Sequence, residues 1–220
     1  EKYDNIVVSS NVELPKEYKL LHNISKSDIV ARHAIAYLKK RGVTMIDVLK
    51  YQIGYCEKGR YANKIIIPTF NAAGGLDYFV ARSFEQDPIR KYDAPSSDKN
   101  IIGFENTINW NIPVVLCEGA FDAIAIKRNA IPLFGKNISK KLMQKLVTSE
   151  IKKVYLALDK DAIKSTYKIA EQLLKLGKKL FIVELDDKDP SDMGFSLFTN
   201  KVQESQEFNF SSLFNLKLSL

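Results

Sequence analysis

Cysteine and histidine are scarce in this chain. Its 220 residues hold two of each: Cys56, Cys117, His22 and His33. Their spacing matches no zinc site, because zinc ligands come in closely spaced sets. Both cysteines fall at or beside expected strand ends, so the expectation is two buried free thiols in a reducing compartment. Long apolar runs are also missing. No stretch approaches the roughly 20 residues of a membrane span, and no signal peptide opens the chain. The expectation is a cytoplasmic protein that makes no membrane contact. The chain shows no internal repeats and no low-complexity stretch. It begins at Glu1 rather than methionine, which points to a fragment or processed chain with flanking domains missing.

What is present suits a packed core. Hydrophobic residues make up 45% of the chain, enough for one large domain or two small ones and too many for disorder. Lys and Arg number 33 against 26 Asp and Glu, a net charge of +7. That balance favours an anionic partner such as nucleic acid, nucleotide or acidic lipid, although many soluble enzymes carry a similar excess.

In order, residues 1–28 are polar and irregular around Pro15 and read as an arm or linker. Ser27-Asp28 caps an expected helix over 29–41, closed by Gly42, and Thr44 caps a second over 45–51. A hairpin follows. Its strands are Lys64–Phe70 and 76–84, joined by the turn chemistry of Asn71-Ala72-Ala73-Gly74-Gly75. Arg82, Arg90 and Lys91 lie on or just beyond it, where cations usually do no more than keep a surface wet. From residue 114 strands and helices alternate. Strands are expected at 114–117, 131–134, 153–158 and 179–185, with helices at 120–129, 139–147, 164–176 and from 192. Apolar strands between helices imply an α/β fold, a mainly parallel sheet with helices on both faces. The expected division is a small basic α+β subdomain over 29–112, the α/β domain over 113–200, and a tail over 201–220. The apolar tail either docks on the core or continues into a further domain.

Three of these strands end in carboxylates. Glu118-Gly119 and Asp122 follow the first, Asp159-Lys160-Asp161 the third, and Asp186, Asp187, Asp189 and Asp192 the last. In an open parallel sheet all carboxyl ends share one edge, where ligands bind. Glu118, Asp159 and Asp189 are therefore expected to converge. If the strand runs on through Asp159 and Asp161, both side chains share a face. Carboxylates gathered this closely repel each other, and a divalent cation removes that penalty. Oxygen ligands suit Mg²⁺ or Mn²⁺ rather than zinc. Between Asp122 and Glu150 stand Lys127, Arg128, Lys136, Lys140, Lys141 and Lys145, with no acid among them. An acid-bound metal beside this flank fits a phosphate-bearing substrate. Any one acid alone reads as a solvated loop residue; the joint pattern carries the inference.

Glu118-Gly119-Ala120-Phe121-Asp122, Asp159-Lys160-Asp161 and Asp189-Pro190-Ser191-Asp192 together resemble the signature of the TOPRIM domain. Primases, topoisomerases and some nucleases share that domain. Upstream, Ala36-Tyr37-Leu38-Lys39-Lys40-Arg41-Gly42, Tyr51-Gln52-Ile53-Gly54-Tyr55 and Lys64-Ile65-Ile66-Ile67-Pro68 resemble the catalytic core of DnaG-type primases. So do Ala81-Arg82 and Lys91-Tyr92-Asp93-Ala94-Pro95. Departures are Lys64 where an arginine is usual, Ala81 where a glycine is usual, and Ala162-Ile163 where Ala-Gly is common. The resemblance covers most of residues 30–200, and the compact, divergent sequence suggests a phage version.

The resemblance implies DNA-directed synthesis of short RNA primers on single-stranded DNA, from ribonucleoside triphosphates, with Mg²⁺ or Mn²⁺. It implies Glu118, Asp159 and Asp161 as catalytic residues, with Asp189 as a further metal ligand. Asp122 and Asp192 would support them, and Lys64, Arg82 and Lys91 would hold template or nucleotide phosphates. It further implies a replicative helicase partner, in trans or fused, and the host cytoplasm for a phage protein. The family's zinc-binding domain is absent from this chain. Two other readings stay open: a TOPRIM nuclease using the same acids, and a catalytically silent single-strand-binding module. A topoisomerase would need a strand-passage domain that the chain lacks.

Overall fold

The computed structural model describes residues 12–218 except Asn23, Lys26 and residues 186–188. Asp186, Asp187 and most of the expected arm therefore lie outside the described residues, as do the side chains of Asp161 and residues 216–218.

Two five-stranded sheets organise the molecule. The first contains β1 (Tyr18–Leu20), β2 (Gly54–Cys56), β3 (Lys64–Phe70), β4 (Leu76–Ser83) and β5 (Tyr92–Asp93), in chain order and antiparallel. Helices α1 (Ile29–Lys40) and α2 (Met45–Lys50) lie between β1 and β2 in the chain. Local chemistry sets their ends. The Asp28 carboxylate accepts from Ala31 N at 2.9 Å and starts α1, and Gly42 takes the left-handed φ of +69° just past its end. Thr44 and Asp47 form a capping box on α2. In the β3–β4 turn, Asn71 Oδ1 accepts from the backbone of Ala73 and Gly75. Pro68 is tolerated inside β3 because β2 pairs only with Lys64, Ile65 and Ile66, so its missing N–H disturbs no bond on that side. Strands β1, β2 and β5 went unread in sequence. They are two or three residues long, too short for a period, and pairing with distant strands supplies their order.

The second sheet holds β6 (Val114–Cys117), β7 (Ala130–Pro132), β8 (Lys153–Ala157), β9 (Lys179–Ile182) and β10 (Glu207–Phe208), in the order β10-β9-β8-β6-β7. The first four are parallel, and β10 closes the edge antiparallel. Between them run α3 (Ala120–Ile126), α4 (Lys140–Thr148), α5 (Ile163–Lys175), α6 (Pro190–Met193) and α7 (Phe195–Glu204), with α8 (Phe210–Leu218) last. The tail docks on the domain, with Leu213 buried in its core.

Alternation along the strands feeds two cores. Val114, Leu116, Val154, Leu156 and Leu180 bury with Leu142, Leu146, Ile169 and Leu173 of α4 and α5. Val115, Cys117 and Ala157 point to the other side. There they join Phe121 and Ile124 of α3 and Phe198 of α7, and also Leu38, Val48, Ile65, Ile67 and Tyr78 from the first unit. Each fully buried side chain of this size contributes roughly 2 kcal/mol, so one shared core fastens the two sheets. Ions reinforce the joint: Lys141 of α4 reaches Asp77 of β4 at 3.2 Å, and Lys127 reaches Asp47 of α2 at 2.9 Å.

Candidate active site

The carboxyl edge of the second sheet opens into a cleft of about 700 Å³ that faces the first sheet. Glu118 lies one residue past β6, and Asp159 two residues past β8. Parallel pairing of Cys117 with Ala157 brings both strand ends to one level. Gly119 is the N-cap of α3 and donates its N–H to Asp122 Oδ2 at 3.0 Å. A Cβ on Gly119 would stand 3.0 Å from that same oxygen, a tight approach that the Asp122 side chain would have to yield to. Asp189 caps α6, where its Oδ1 accepts from Asp192 N at 2.9 Å and from the Ser191 hydroxyl at 2.8 Å.

Glu118, Asp122, Asp159, Asp189 and Asp192 all line this cleft. Glu118 Oε2 and Asp159 Oδ1 are withdrawn from solvent. Burial, then the charge of Asp189 and that of Asp159, push the Asp122 carboxyl up to about 7 against the Gly119 and Ser191 N–H groups that hold it down. Cys117, just before Glu118, is buried in the core. Burial first, and then Asp122, Asp159 and Glu118, push its thiol well up, so it stays neutral.

Two sequence expectations are corrected here. Strand β8 ends at Ala157, and Asp159 caps a 3-10 turn, Lys160–Ala162. The backbone of Asp159 and Asp161 therefore lies beyond the strand, so strand alternation does not apply to them. Four of the six cations in the basic flank after Asp122 are engaged away from the cleft. None of its six cations lines the cleft. Lys127 and Lys141 pair with buried acids, Lys145 lies over Trp110, and Arg128 bonds Thr199.

The cleft's cations come from the first unit instead: Arg41, Arg82, Lys91 and Lys99. Arg82 and Lys91, expected to hold phosphates, both line the cleft. Arg82 is 5% exposed, and its guanidinium lies 4.4 Å from the Tyr92 ring centre. Lys64 stands behind the lining, 3.4 Å from Asp93, which itself lines the cleft. Arg41 and Lys99 were missed as site residues. Arg41 sits in the Tyr-Leu-Lys-Lys-Arg-Gly stretch, which was the available signal. It donates to the Ser191 hydroxyl at 3.1 Å, and Ser191 donates in turn to Asp189. Its guanidinium also packs on Tyr37 and Phe121. Lys99 donates to the carbonyl of Phe134, a residue held at the left-handed φ of 52° in the cleft wall. No local pattern marks Lys99.

A profile of the Toprim-like family matches residues 115–193. The MG010 protein of Mycoplasma genitalium is 31% identical over 192 residues, covering 80% of this chain and 85% of that protein. The chain belongs to the family of this MG010 protein, and its residues 115–193 form a Toprim-like domain. Its fold is that of the DnaG primase catalytic domain, as in a structure bound to single-stranded DNA. That match has a TM-score of 0.72 at 18% identity and covers 87% of this chain and 77% of that one. The DNA primase of Thermotoga maritima is 25% identical over 209 residues, and the match spans 81% of this chain but only 36% of that protein.

These residues suit a hard divalent ion. Mg²⁺ is usually held by one or two carboxylates together with substrate phosphates and water rather than by an all-protein cage. Glu118 and Asp159 each bring a desolvated oxygen to the cleft. Among the described residues, no group of three acids, cysteines or histidines could hold an ion by itself.

Proposed function

We propose that this chain is the catalytic core of a DNA primase, joining ribonucleotides on a single-stranded DNA template. The observation that carries this reading is the two-sided cleft: among the described residues, five acids from one sheet edge face four cations from the other unit. In primer synthesis the 3′-hydroxyl of one ribonucleotide attacks the α-phosphorus of the next. A phosphodiester forms, pyrophosphate leaves, and the hydroxyl gives up its proton. Such transfer needs positioning and charge neutralisation more than covalent help. Glu118, Asp159 and Asp161 would hold Mg²⁺ or Mn²⁺, with Asp189 as a further ligand and Asp122 and Asp192 in support. The bound ion would lower the hydroxyl's pKa and offset charge on the leaving oxygens. Arg41 orients Ser191 and, through it, Asp189. Arg82, Lys91 and Lys99 meet template or nucleotide phosphates, and phosphate contacts place a strand without reading it. Lys64 acts from behind, by fixing Asp93.

The test is incubation with single-stranded template, labelled ribonucleotides and Mg²⁺ or Mn²⁺. Primers should form, and should vanish in Asp159→Ala. Shortened template without primers means a nuclease, and DNA binding without any product means a silent module.

A further inference from the structure

Helices α1 and α2 carry a second surface that shares no residue with the lining of the catalytic cleft. A groove of about 340 Å³ opens between them, walled by Ile35, Leu38, Val43, Met45 and Val48. Beside it, α2 presents large apolar side chains to water. Ile46 is 77% exposed, Leu49 54% and Met45 45%. Their i, i+1, i+4 spacing makes them one stripe. The opposite side of α2 is already committed, with Val48 buried in the core and Asp47 buried against Lys127. The outer stripe therefore serves nothing within the described chain. Exposed apolar clusters rimmed by charge mark interaction surfaces.

Charge selects the partner. Residues 29–52 contain a single acid, Asp47, which Thr44 and Lys127 already engage. Against it stand Arg32, Lys39, Lys40, Arg41 and Lys50. Arg41 turns into the cleft, and the other four are exposed. Lys39 lines the groove itself, Arg32 lies two helical turns before it, and Lys50 follows Leu49 directly. A twofold copy of this face would bring like charges together, which disfavours self-pairing. A phosphate backbone would leave Ile46, Leu49 and Met45 facing charge. An apolar stripe with acidic flanks satisfies both features at once.

We propose that the α1–α2 face docks an acidic amphipathic segment of another protein. A helix fits, with apolar side chains at i, i+3 and i+7 over the groove and Asp or Glu beside Lys39 and Lys50. The lysines would speed encounter and set orientation, and the apolar stripe would supply the affinity.

The probe is a synthetic helical peptide of about 18 residues, roughly 27 Å long, with a leucine stripe and a glutamate face. Two controls replace its glutamates by lysine or its leucines by serine. Fluorescence anisotropy reads binding to the whole chain. The glutamate peptide should bind saturably and both controls should fail. Ile46→Ser with Leu49→Ser should weaken binding about fivefold or more, as loss of interface anchors does. Lys39→Glu with Lys50→Glu should weaken it similarly and abolish its salt dependence. All four side chains are exposed, so thermal melts should match wild type. Equal binding of the lysine peptide, or wild-type affinity in both double variants, overturns the proposal. So does a dimer in sedimentation that Ile46→Ser dissolves, which would make the occupant a second copy. So does loss of single-stranded DNA binding in Ile46→Ser with no peptide binding at all, which would make it nucleic acid.

Discussion

Arg82 is where stability and function should separate. Its side chain is 5% exposed, and its Nε is buried without a hydrogen-bond partner. Among the described residues no carboxylate pairs with it; its compensation is the Tyr92 ring at 4.4 Å and the Tyr37 ring at 5.8 Å. A desolvated cation–π contact is worth roughly 1–2 kcal/mol. Taking an arginine out of water costs several kcal/mol, so the fold alone is left in deficit. Replacing buried ions by apolar residues of similar volume is often neutral or stabilises by about 1–4 kcal/mol. Net of the lost ring contact, Arg82→Met should stabilise the free protein by about 1 kcal/mol, a Tm rise of about 2–4 °C for a chain of this size. The same change removes a cation facing the acids. A hydrogen bond to a charged group is worth roughly 1.5–3 kcal/mol, so binding of single-stranded DNA or ribonucleotide should weaken about tenfold to a hundredfold. The assay is a thermal melt without ligand, with fluorescence anisotropy on the same preparation. A variant that melts below wild type, or binds as wild type does, refutes the reasoning.

Asp47→Ala removes the capping-box partner of Thr44 and the Lys127 ion pair and should cost about 2 kcal/mol in a urea melt. Burial works to raise the Asp47 carboxyl, but the Thr44 and Lys127 bonds outweigh it and hold it below the ordinary 3.8. A depressed folded pKa gives stability that is complete above the unfolded value and lost as pH falls through the folded one. The gap between wild type and Asp47→Ala should thus be flat near neutrality and close below about pH 4. Gly103→Ala places a Cβ 2.3 Å from the Pro132 carbonyl oxygen and 2.6 Å from its Cγ; moving β7 should cost about 2–3 kcal/mol, read by the same melt. Lys91→Ala should weaken single-stranded DNA binding and lower the slope of log K against log salt by about 0.7.

Legibility in the sequence followed the range of the forces involved. Helix α2 was readable because its cap is local: Thr44 and Asp47 are three residues apart. Strands β3 and β6 were readable as apolar runs that end in turn residues or acids. Strand β1 was not, because its order comes from pairing Tyr18 with Cys56 across the chain. The last expected helix proved to be two, since Gly194 at φ +78° separates α6 from α7. Glu118, Asp159 and Asp189 were expected to converge because acids after parallel strands share an edge, and all three line the cleft. Lys64, expected to hold phosphates, lies 3.4 Å from Asp93 and is not among the residues lining the cleft.

Sequence by itself determined the chemistry of the acidic edge. Each acid stands a residue or two beyond an apolar strand or at a helix start, and those relations are local. Only the tertiary structure decided which cations meet those acids. Of the six that follow Asp122 in sequence, Lys127, Lys141, Lys145 and Arg128 turn elsewhere, to Asp47, Asp77, Trp110 and Thr199. Arg41 reaches Ser191 across 150 residues because one hydrophobic core draws α1 against α3. Charge in a sequence is a sum, whereas electrostatic interaction falls with distance, and distance is set by packing.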